Sequence, residues 1–120
     1  MNYCWTTLHV KDFEESLEFY QNIVGLDVVR RFEVEPNREI AFLGDGETKV
    51  ELVYEDSQKD INIGEDISLG FEINSVEEML KFLKDKDIPI DSGPFQPNPN
   101  IQFFYIKDPN GLKIQFVENL

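Results

Sequence analysis

Two side chains with acid–base chemistry lie in stretches whose pattern could hold them in a cavity. Glu51 lies in KVELV and His9 in TTLHV, where apolar and polar residues alternate. Such alternation is typical of a strand with one covered face, so the polar side chains would point the other way. A carboxylate partly removed from water can act as a general base, and an imidazole can assist it. Glu51 and His9 are therefore the predicted catalytic residues, although an ion pair of Glu51 with Lys49 or Lys113, or a hydrated carboxylate, is an alternative.

Other side chains could bind a ligand. Trp5 could stack on a flat molecule, or it could simply fill space. Arg30, with Arg31 and Arg38, could hold a substrate carboxylate through its guanidinium fork, or balance nearby glutamates. Phe95 belongs to the proline-rich stretch SGPFQPNPN, predicted to be a loop that acts either as a lid or as a rigid edge connection. The predicted ligand-binding residues are Trp5, Thr7, Ser68, Gln115, Phe95 and Arg30.

The elements that would position these residues occur twice in the chain. Residues 8–20, LHVKDFEESLEFY, and 71–83, FEINSVEEMLKFL, share one pattern at an offset of 63, and KVELV (49–53) matches KIQFV (113–117) at an offset of 64. Each unit is predicted to contain a strand, a helix and three further strands. These further strands are expected near 26–34, 38–43 and 48–54, and near 90–95, 101–107 and 112–118. A capping pair marks the start of each helix, namely Asp12 with Glu15 and Ser75 with Glu78.

If the helices cover one face of each sheet, the opposite faces must cover each other or form a concave surface for a ligand. We therefore predict an α+β fold in which two βαβββ repeats form an open, cup-shaped mixed sheet with helices on the outside. The chain would be a single domain, residues 1–120, with modules at about 1–58 and 64–120. The cup would be lined by Trp5, Thr7, His9, Lys49, Glu51 and Val53, and by Ser68, Gly70, Glu72, Lys113, Gln115 and Val117.

Composition argues against several classes of partner. The formal net charge is −13, from 24 acidic against 11 basic residues. This charge opposes the attraction that drives binding to phosphate backbones, so we expect no nucleic-acid partner. There is no signal-peptide pattern and no apolar run near 18 residues, so we expect no membrane segment. The single cysteine, Cys4, allows no disulfide within the chain and favours a cytoplasmic location.

Two motifs occur in a fixed order, FY and VGL within 19–26 and the DPNG turn followed by KIQFVE within 108–118. With the two repeats, they resemble the vicinal oxygen chelate superfamily, which includes glyoxalase I, extradiol dioxygenases and bleomycin-resistance proteins. The resemblance covers essentially the whole chain. It implies a small-molecule ligand or substrate, and a homodimer, because many members of that superfamily build or complete their sites across two chains.

In the metalloenzymes of this superfamily, the first and last strands of each unit each supply one ligand of a divalent ion, usually His or Glu. The resemblance places these positions at Trp5, Glu51, Ser68 and Gln115. Only Glu51 is a typical ligand, because an indole has no usable lone pair and neutral hydroxyl and amide oxygens are weak donors. We therefore expect no tightly bound transition metal. A weak site for a hard cation at Glu51 and Gln115 stays open.

Three functions are compatible with the sequence. The first is a lyase resembling lactoylglutathione lyase, which would isomerise a thiol adduct of a small aldehyde by metal-assisted proton transfer. The second is a metal-free protein that binds or sequesters an aromatic or hydrophobic compound, as bleomycin-resistance proteins do. The third is a metal-independent enzyme that uses Glu51 alone as acid or base. His9 would join a metal site only with new partners such as Glu51 or Glu72, and otherwise it lines the pocket or a dimer face.

Overall fold

Each half of the chain forms a strand, a helix and three further strands in the computed structural model, which describes residues 1–58 and 60–120. The first half contains β1 (Trp5–His9), α1 (Phe13–Glu18), β2 (Val28–Glu35), β3 (Arg38–Leu43) and β4 (Lys49–Glu55). The second contains β5 (Ser68–Glu72), α2 (Val76–Asp85), β6 (Ser92–Asn98), β7 (Ile101–Lys107) and β8 (Lys113–Asn119). The predicted α+β class and both βαβββ repeats are confirmed.

The chain divides into two units, Met1–Asn62 and Ile63–Leu120, here called unit 1 and unit 2. Each unit has one open, four-stranded mixed sheet, in the order β1-β4-β3-β2 or β5-β8-β7-β6. The first and last strands of each unit pair in parallel, and the other neighbours are antiparallel. Because both sheets have one topology, positions in unit 1 can be compared with positions at the same register in unit 2.

Both helices begin at the capping residues that the sequence predicts. An oxygen of the Asp12 carboxylate accepts a hydrogen bond from the Glu15 amide at 3.1 Å, and the Ser75 hydroxyl accepts one from the Glu78 amide at 3.1 Å. Such contacts satisfy backbone donors that have no partner within the first turn of a helix. Within the described residues, no helix is long and apolar enough to cross a bilayer.

The first helix continues as a π-helical turn, Phe19–Ile23, which carries the fully buried Tyr20. Gly25 then adopts a left-handed conformation, with φ of +87°, that side chains with a Cβ rarely tolerate. This conformation allows the Leu26 amide to donate to the Tyr20 carbonyl at 2.9 Å. Gly25 therefore ends the helical segment.

The core of unit 1 lies between its sheet and α1. Arg31 of β2 forms an ion pair with Glu14 of α1, and its guanidinium carbon lies 5.1 Å from the centre of the Phe13 ring. These contacts identify the sheet face that α1 covers. Strand register places buried apolar side chains on the same face, namely Leu8, Ala41, Leu43, Val50 and Leu52.

Unit 2 repeats this arrangement with α2. The Val76 amide at the start of α2 donates to the Glu118 carboxylate at 2.6 Å, which identifies the covered face of the second sheet. Strand register places further buried apolar residues on that face, namely Phe104, Ile106, Ile114 and Phe116. The residues predicted to line a site therefore lie on the opposite face of each sheet, the face that the helix of the unit does not cover.

The proline-rich stretch 92–100 differs from the predicted loop. Residues Ser92–Asn98 form β6, which lies at the edge of the second sheet and pairs with β7 at Phe95 and Phe103. Proline has no backbone donor, but an edge strand tolerates it because one side of that strand needs no ladder partner. The loop prediction is therefore wrong for residues 92–98, which form the edge of the sheet.

Candidate ligand-binding site

Four residues form one row across the sheet of unit 1, on the face opposite α1. Thr7 is paired with Glu51, Glu51 with Phe42, and Phe42 with Arg30. Because neighbouring strands lie about 4.8 Å apart, the row spans about 14 Å from β1 to β2. A carboxylate, an aromatic ring and a guanidinium group therefore follow one another across a single surface.

Thr7 positions the carboxylate in this row. Its hydroxyl donates a hydrogen bond to Oε1 of Glu51 at 2.5 Å, and Glu51 itself is half-buried. Within the described residues Glu51 forms no ion pair with Lys49 or Lys113. A neutral hydroxyl, rather than a lysine, therefore orients the Glu51 carboxylate.

Aromatic rings form a surface beside Glu51. The edge of Trp5 meets Phe42, with ring centres 5.0 Å apart and an angle of 69° between the planes. Phe42 in turn stacks with Phe32 at 6.5 Å, and the guanidinium carbon of Arg30 lies 4.7 Å from the Phe32 ring centre. Trp5 remains 45% exposed, so this aromatic surface is accessible to a flat ligand.

A cavity of about 360 Å³ lies against the aromatic surface. This volume lies within the range typical of small-molecule sites. The cavity wall combines two aromatic rings with two cations and one carboxylate. The lining residues are Cys4, Trp5, Val29, Arg30, Phe42, Glu47 and Lys49.

His9 lies on the same face as Glu51 but does not bond to it. It is paired with Val53 on β4, and its Nδ1 atom is buried without a hydrogen-bond partner in the described part of the chain. The other partner considered for His9, Glu72, accepts a hydrogen bond from Asn119. The structure therefore does not bring His9 into hydrogen-bonding contact with Glu51, the catalytic residue predicted alongside it.

The equivalent row of unit 2 is electrically neutral. It runs from Gly70 through Gln115 and Tyr105 to Ser92. The Gln115 amide donates to the Tyr105 hydroxyl at 3.2 Å, and a Cβ atom on Gly70 would lie only 3.1 Å from the Gln115 side-chain oxygen. Ser68 is exposed near this row, where it pairs with Lys113.

Phe95 lies in a separate aromatic group of unit 2. Its ring centre lies 5.6 Å from Phe103 and 6.5 Å from Tyr105. These rings line a cavity of about 560 Å³ together with Gln96 and Pro97. The predicted ligand-binding residues thus fall into two sets, with Trp5, Thr7 and Arg30 in unit 1 and Ser68, Gln115 and Phe95 in unit 2.

The residues at the four metal positions implied by the resemblance do not fit a nickel or zinc ion. Trp5 has no lone pair that could bind a metal, and one carboxylate oxygen of Glu51 already accepts the Thr7 hydrogen bond. Ser68 and Gln115 offer only neutral oxygens, which bind these metals weakly. Across residues 1–58 and 60–120, no group of three or more His, Cys, Asp or Glu side chains could hold a metal ion.

The sequence alone does not indicate the role of Phe32 and Phe42. Phe42 follows the apolar residues Ile40 and Ala41, and a continuous apolar run does not reveal which side chains share a face. Only the pairing of β3 with β4 places Phe42 beside Glu51. The sequence does place Lys49 on the same face as Glu51, because the two residues alternate along β4.

The family model described as the Glyoxalase/Bleomycin resistance protein/Dioxygenase superfamily matches residues 4–116. The chain belongs to this superfamily. Two curated members similar to it are named lactoylglutathione lyase. The one from Haemophilus influenzae is 31% identical over 123 residues, covering 95% of this chain and 90% of the relative. The one from Neisseria meningitidis serogroup A is 28% identical over 121 residues, covering 94% and 87%.

Solved structures of superfamily members share the fold. The trypanothione-dependent glyoxalase I of Leishmania major aligns with a TM-score of 0.84 and 24% identity, over 98% of this chain and 86% of that chain. A glyoxalase family protein from Bacillus cereus aligns with a TM-score of 0.79 and 20% identity, over 100% and 93%. These likenesses support the fold assignment, while the function depends on the residues of the site.

Proposed function

We propose that this superfamily member binds a small, flat, largely apolar metabolite on the aromatic surface of unit 1 without a transition metal. The observation that carries this proposal is the edge-to-face contact of Trp5 with Phe42 beside a cavity of about 360 Å³. Aromatic side chains give a ligand a large apolar contact area with few rotatable bonds to order. The proposal corresponds to the metal-free binding function that the sequence leaves open.

The donor chemistry supports a metal-free function. At the first-strand position of unit 1, where a metal-binding relative is expected to have an imidazole, this chain has an indole. The substitution removes a donor nitrogen and adds apolar surface at the same place. Trp5 therefore favours contact with an organic ligand over coordination of an ion.

Intrinsic fluorescence tests the binding proposal directly. Trp5 is the only tryptophan of the chain, so its emission reports this one surface. Titration with a panel of mono- and bicyclic aromatic compounds is expected to change the emission in a saturable way for some of them. Calorimetry is expected to show that the Trp5→Phe variant binds the same compounds about tenfold more weakly. A linear, non-saturating response to every compound would contradict the proposal.

A second candidate is metal-independent proton transfer by Glu51. The similarity to curated lactoylglutathione lyases favours this reaction class, and the hydrogen bond from Thr7 holds the carboxylate in one orientation. Glu51 would remove the proton from the hydroxyl-bearing carbon next to a carbonyl group and return it to the carbonyl carbon, while the hydroxyl proton passes to the former carbonyl oxygen. The product would be an isomer of the substrate, so no oxidant or other co-reactant is needed.

Turnover of a thiol adduct of a small α-oxoaldehyde tests this second candidate. After exhaustive treatment with a chelator, Glu51→Gln is expected to lower the rate by about 100-fold or more, because a positioned general base contributes that much. His9→Gln is expected to keep most of the rate, since His9 does not bond to Glu51. Loss of all turnover on chelation, or full turnover in Glu51→Gln, would eliminate a metal-independent role of Glu51.

We also propose that the protein forms a homodimer, as the resemblance implies, and that it acts in the cytoplasm. The free, exposed Cys4 is consistent with a reducing compartment. Light scattering on the purified protein is expected to give twice the chain mass of 14.0 kDa. A single species at the mass of one chain, even at high concentration, would contradict the dimer.

A further inference from the structure

Two cations in the wall of the unit 1 cavity lack an ion-pair partner among residues 1–58 and 60–120. Within the described residues, neither Arg30 nor Lys49 forms an ion pair. The Arg30 guanidinium lies over the Phe32 ring, and the Lys49 ammonium donates only a long hydrogen bond, 3.4 Å, to the Gly46 carbonyl. Both charges therefore remain available to a ligand.

The two other arginines of the same sheet are neutralised. Arg31 pairs with Glu14 and, at 3.4 Å, with Glu39, and the hydrogen bond to Glu14 raises the pKa of Arg31. Arg38 pairs with Glu55 at 3.0 Å. Acidic residues outnumber basic ones by 24 to 11, so an arginine and a lysine in one cavity that form no ion pair within the described residues differ from the other arginines of this sheet.

We propose that Arg30 and Lys49 bind the anionic group of the ligand, and that this ligand is an aromatic monocarboxylate. Its ring would contact Trp5 and Phe42, and its carboxylate would accept hydrogen bonds from the two cations. The inference rests on the proposed binding function and adds the chemical class of the ligand. It assigns a role to Lys49, which the register pairs with Trp5 at the start of β4.

The geometry suits this class of ligand. Arg30 pairs with Phe42 across β2 and β3, so the guanidinium group and the aromatic surface are adjacent. A guanidinium fork can bind a carboxylate through two parallel hydrogen bonds, and a neighbouring ammonium adds a third donor. Glu47 also lines the cavity, and its negative charge disfavours a second anionic group on the ligand.

Calorimetry with a matched pair of probes tests the inference. Naphthalene-2-acetate and naphthalene-2-acetamide share one ring system and nearly one size, but only the first is an anion. The anion is expected to bind at least tenfold more tightly at low ionic strength. Arg30→Gln and Lys49→Met are each expected to weaken binding of the anion about tenfold, and to change binding of the amide less than twofold.

Arg31→Gln is the matched control. It removes the same charge from the adjacent residue of β2, on the face covered by α1, and is expected to change binding of the anion less than twofold. Circular dichroism checks that each variant folds. Equal binding of acid and amide, or an equal effect of Arg31→Gln and Arg30→Gln, would overturn the anion site but not the binding function. Failure of both probes to bind saturably to the unmodified protein would overturn both.

Discussion

Unit 1 and unit 2 share one topology but present different chemistry on equivalent rows of their sheets. The row of unit 1 consists of Thr7, Glu51, Phe42 and Arg30, and the row of unit 2 of Gly70, Gln115, Tyr105 and Ser92. The first row carries an acid and a base, and the second carries neither. The candidate ligand chemistry is therefore concentrated in unit 1, although both units have an aromatic surface.

The faces covered by the helices show the opposite trend. Leu52 and Phe116 occupy equivalent positions on β4 and β8, and they are 0% and 1% exposed. A side chain packed against a helix must fill its space, because a void forfeits contacts and apolar transfer energy. The face opposite the helix has no such requirement in its own unit. The repeat therefore preserves packing under the helices, while the opposite face can carry charged side chains.

The largest expected effect tests whether the two units share equivalent packing under their helices. Leu52→Ala and Phe116→Ala are expected to lower the free energy of unfolding by about 3 and about 4 kcal/mol, because each leaves a cavity in a packed core. Urea denaturation measures both values. Val117→Ala, one residue from Phe116 and half-buried on the opposite face, is the control and should cost about 1 kcal/mol or less. A loss below 1 kcal/mol for either core variant would break the proposed equivalence.

An intermediate effect concerns the place where unit 2 departs from unit 1. Gly93 follows Ser92, the residue at the row position of Arg30; its φ is +99°, and a Cβ atom there would lie 3.0 Å from Cβ of Phe104. Gly93→Ala is therefore expected to cost about 2 kcal/mol in thermal or urea unfolding. Gly46→Ala, where a Cβ would meet nothing within 4 Å, should change stability by less than about 0.5 kcal/mol. Equal stability of the two variants would show that a side chain is tolerated at Gly93.

The smallest expected effect measures the Thr7–Glu51 hydrogen bond, which the row of unit 2 lacks. Thr7→Val removes the hydroxyl that donates to Glu51 and is expected to cost about 1 kcal/mol. A double-mutant cycle with Glu51→Gln should give a coupling energy of similar size, because the two side chains share one hydrogen bond. Full additivity of the two changes would show that the hydrogen bond contributes nothing to folding.

Local sequence patterns predicted most of the elements. Asp12 and Ser75 begin their helices as predicted, and the alternation in β1 and β4 placed Thr7 and Glu51 on one face. These features depend on neighbours a few residues apart, so residue type and spacing are sufficient. The structure of the stretch 92–100 is harder to predict from the sequence, because proline is compatible with both a loop and an edge strand. Only the strand order distinguishes them.

The sequence by itself determined the two repeats, the polar faces of their strands, and the replacement of expected metal donors by Trp5, Ser68 and Gln115. The first two are properties of residue type at a known spacing, and the third follows from the superfamily resemblance. Only the tertiary structure decided that Phe42 and Arg30 share a row with Glu51, and that Arg31 rather than Arg30 is bound to Glu14. Cross-strand register and the choice of ion-pair partner join residues far apart in the chain, so no local pattern specifies them.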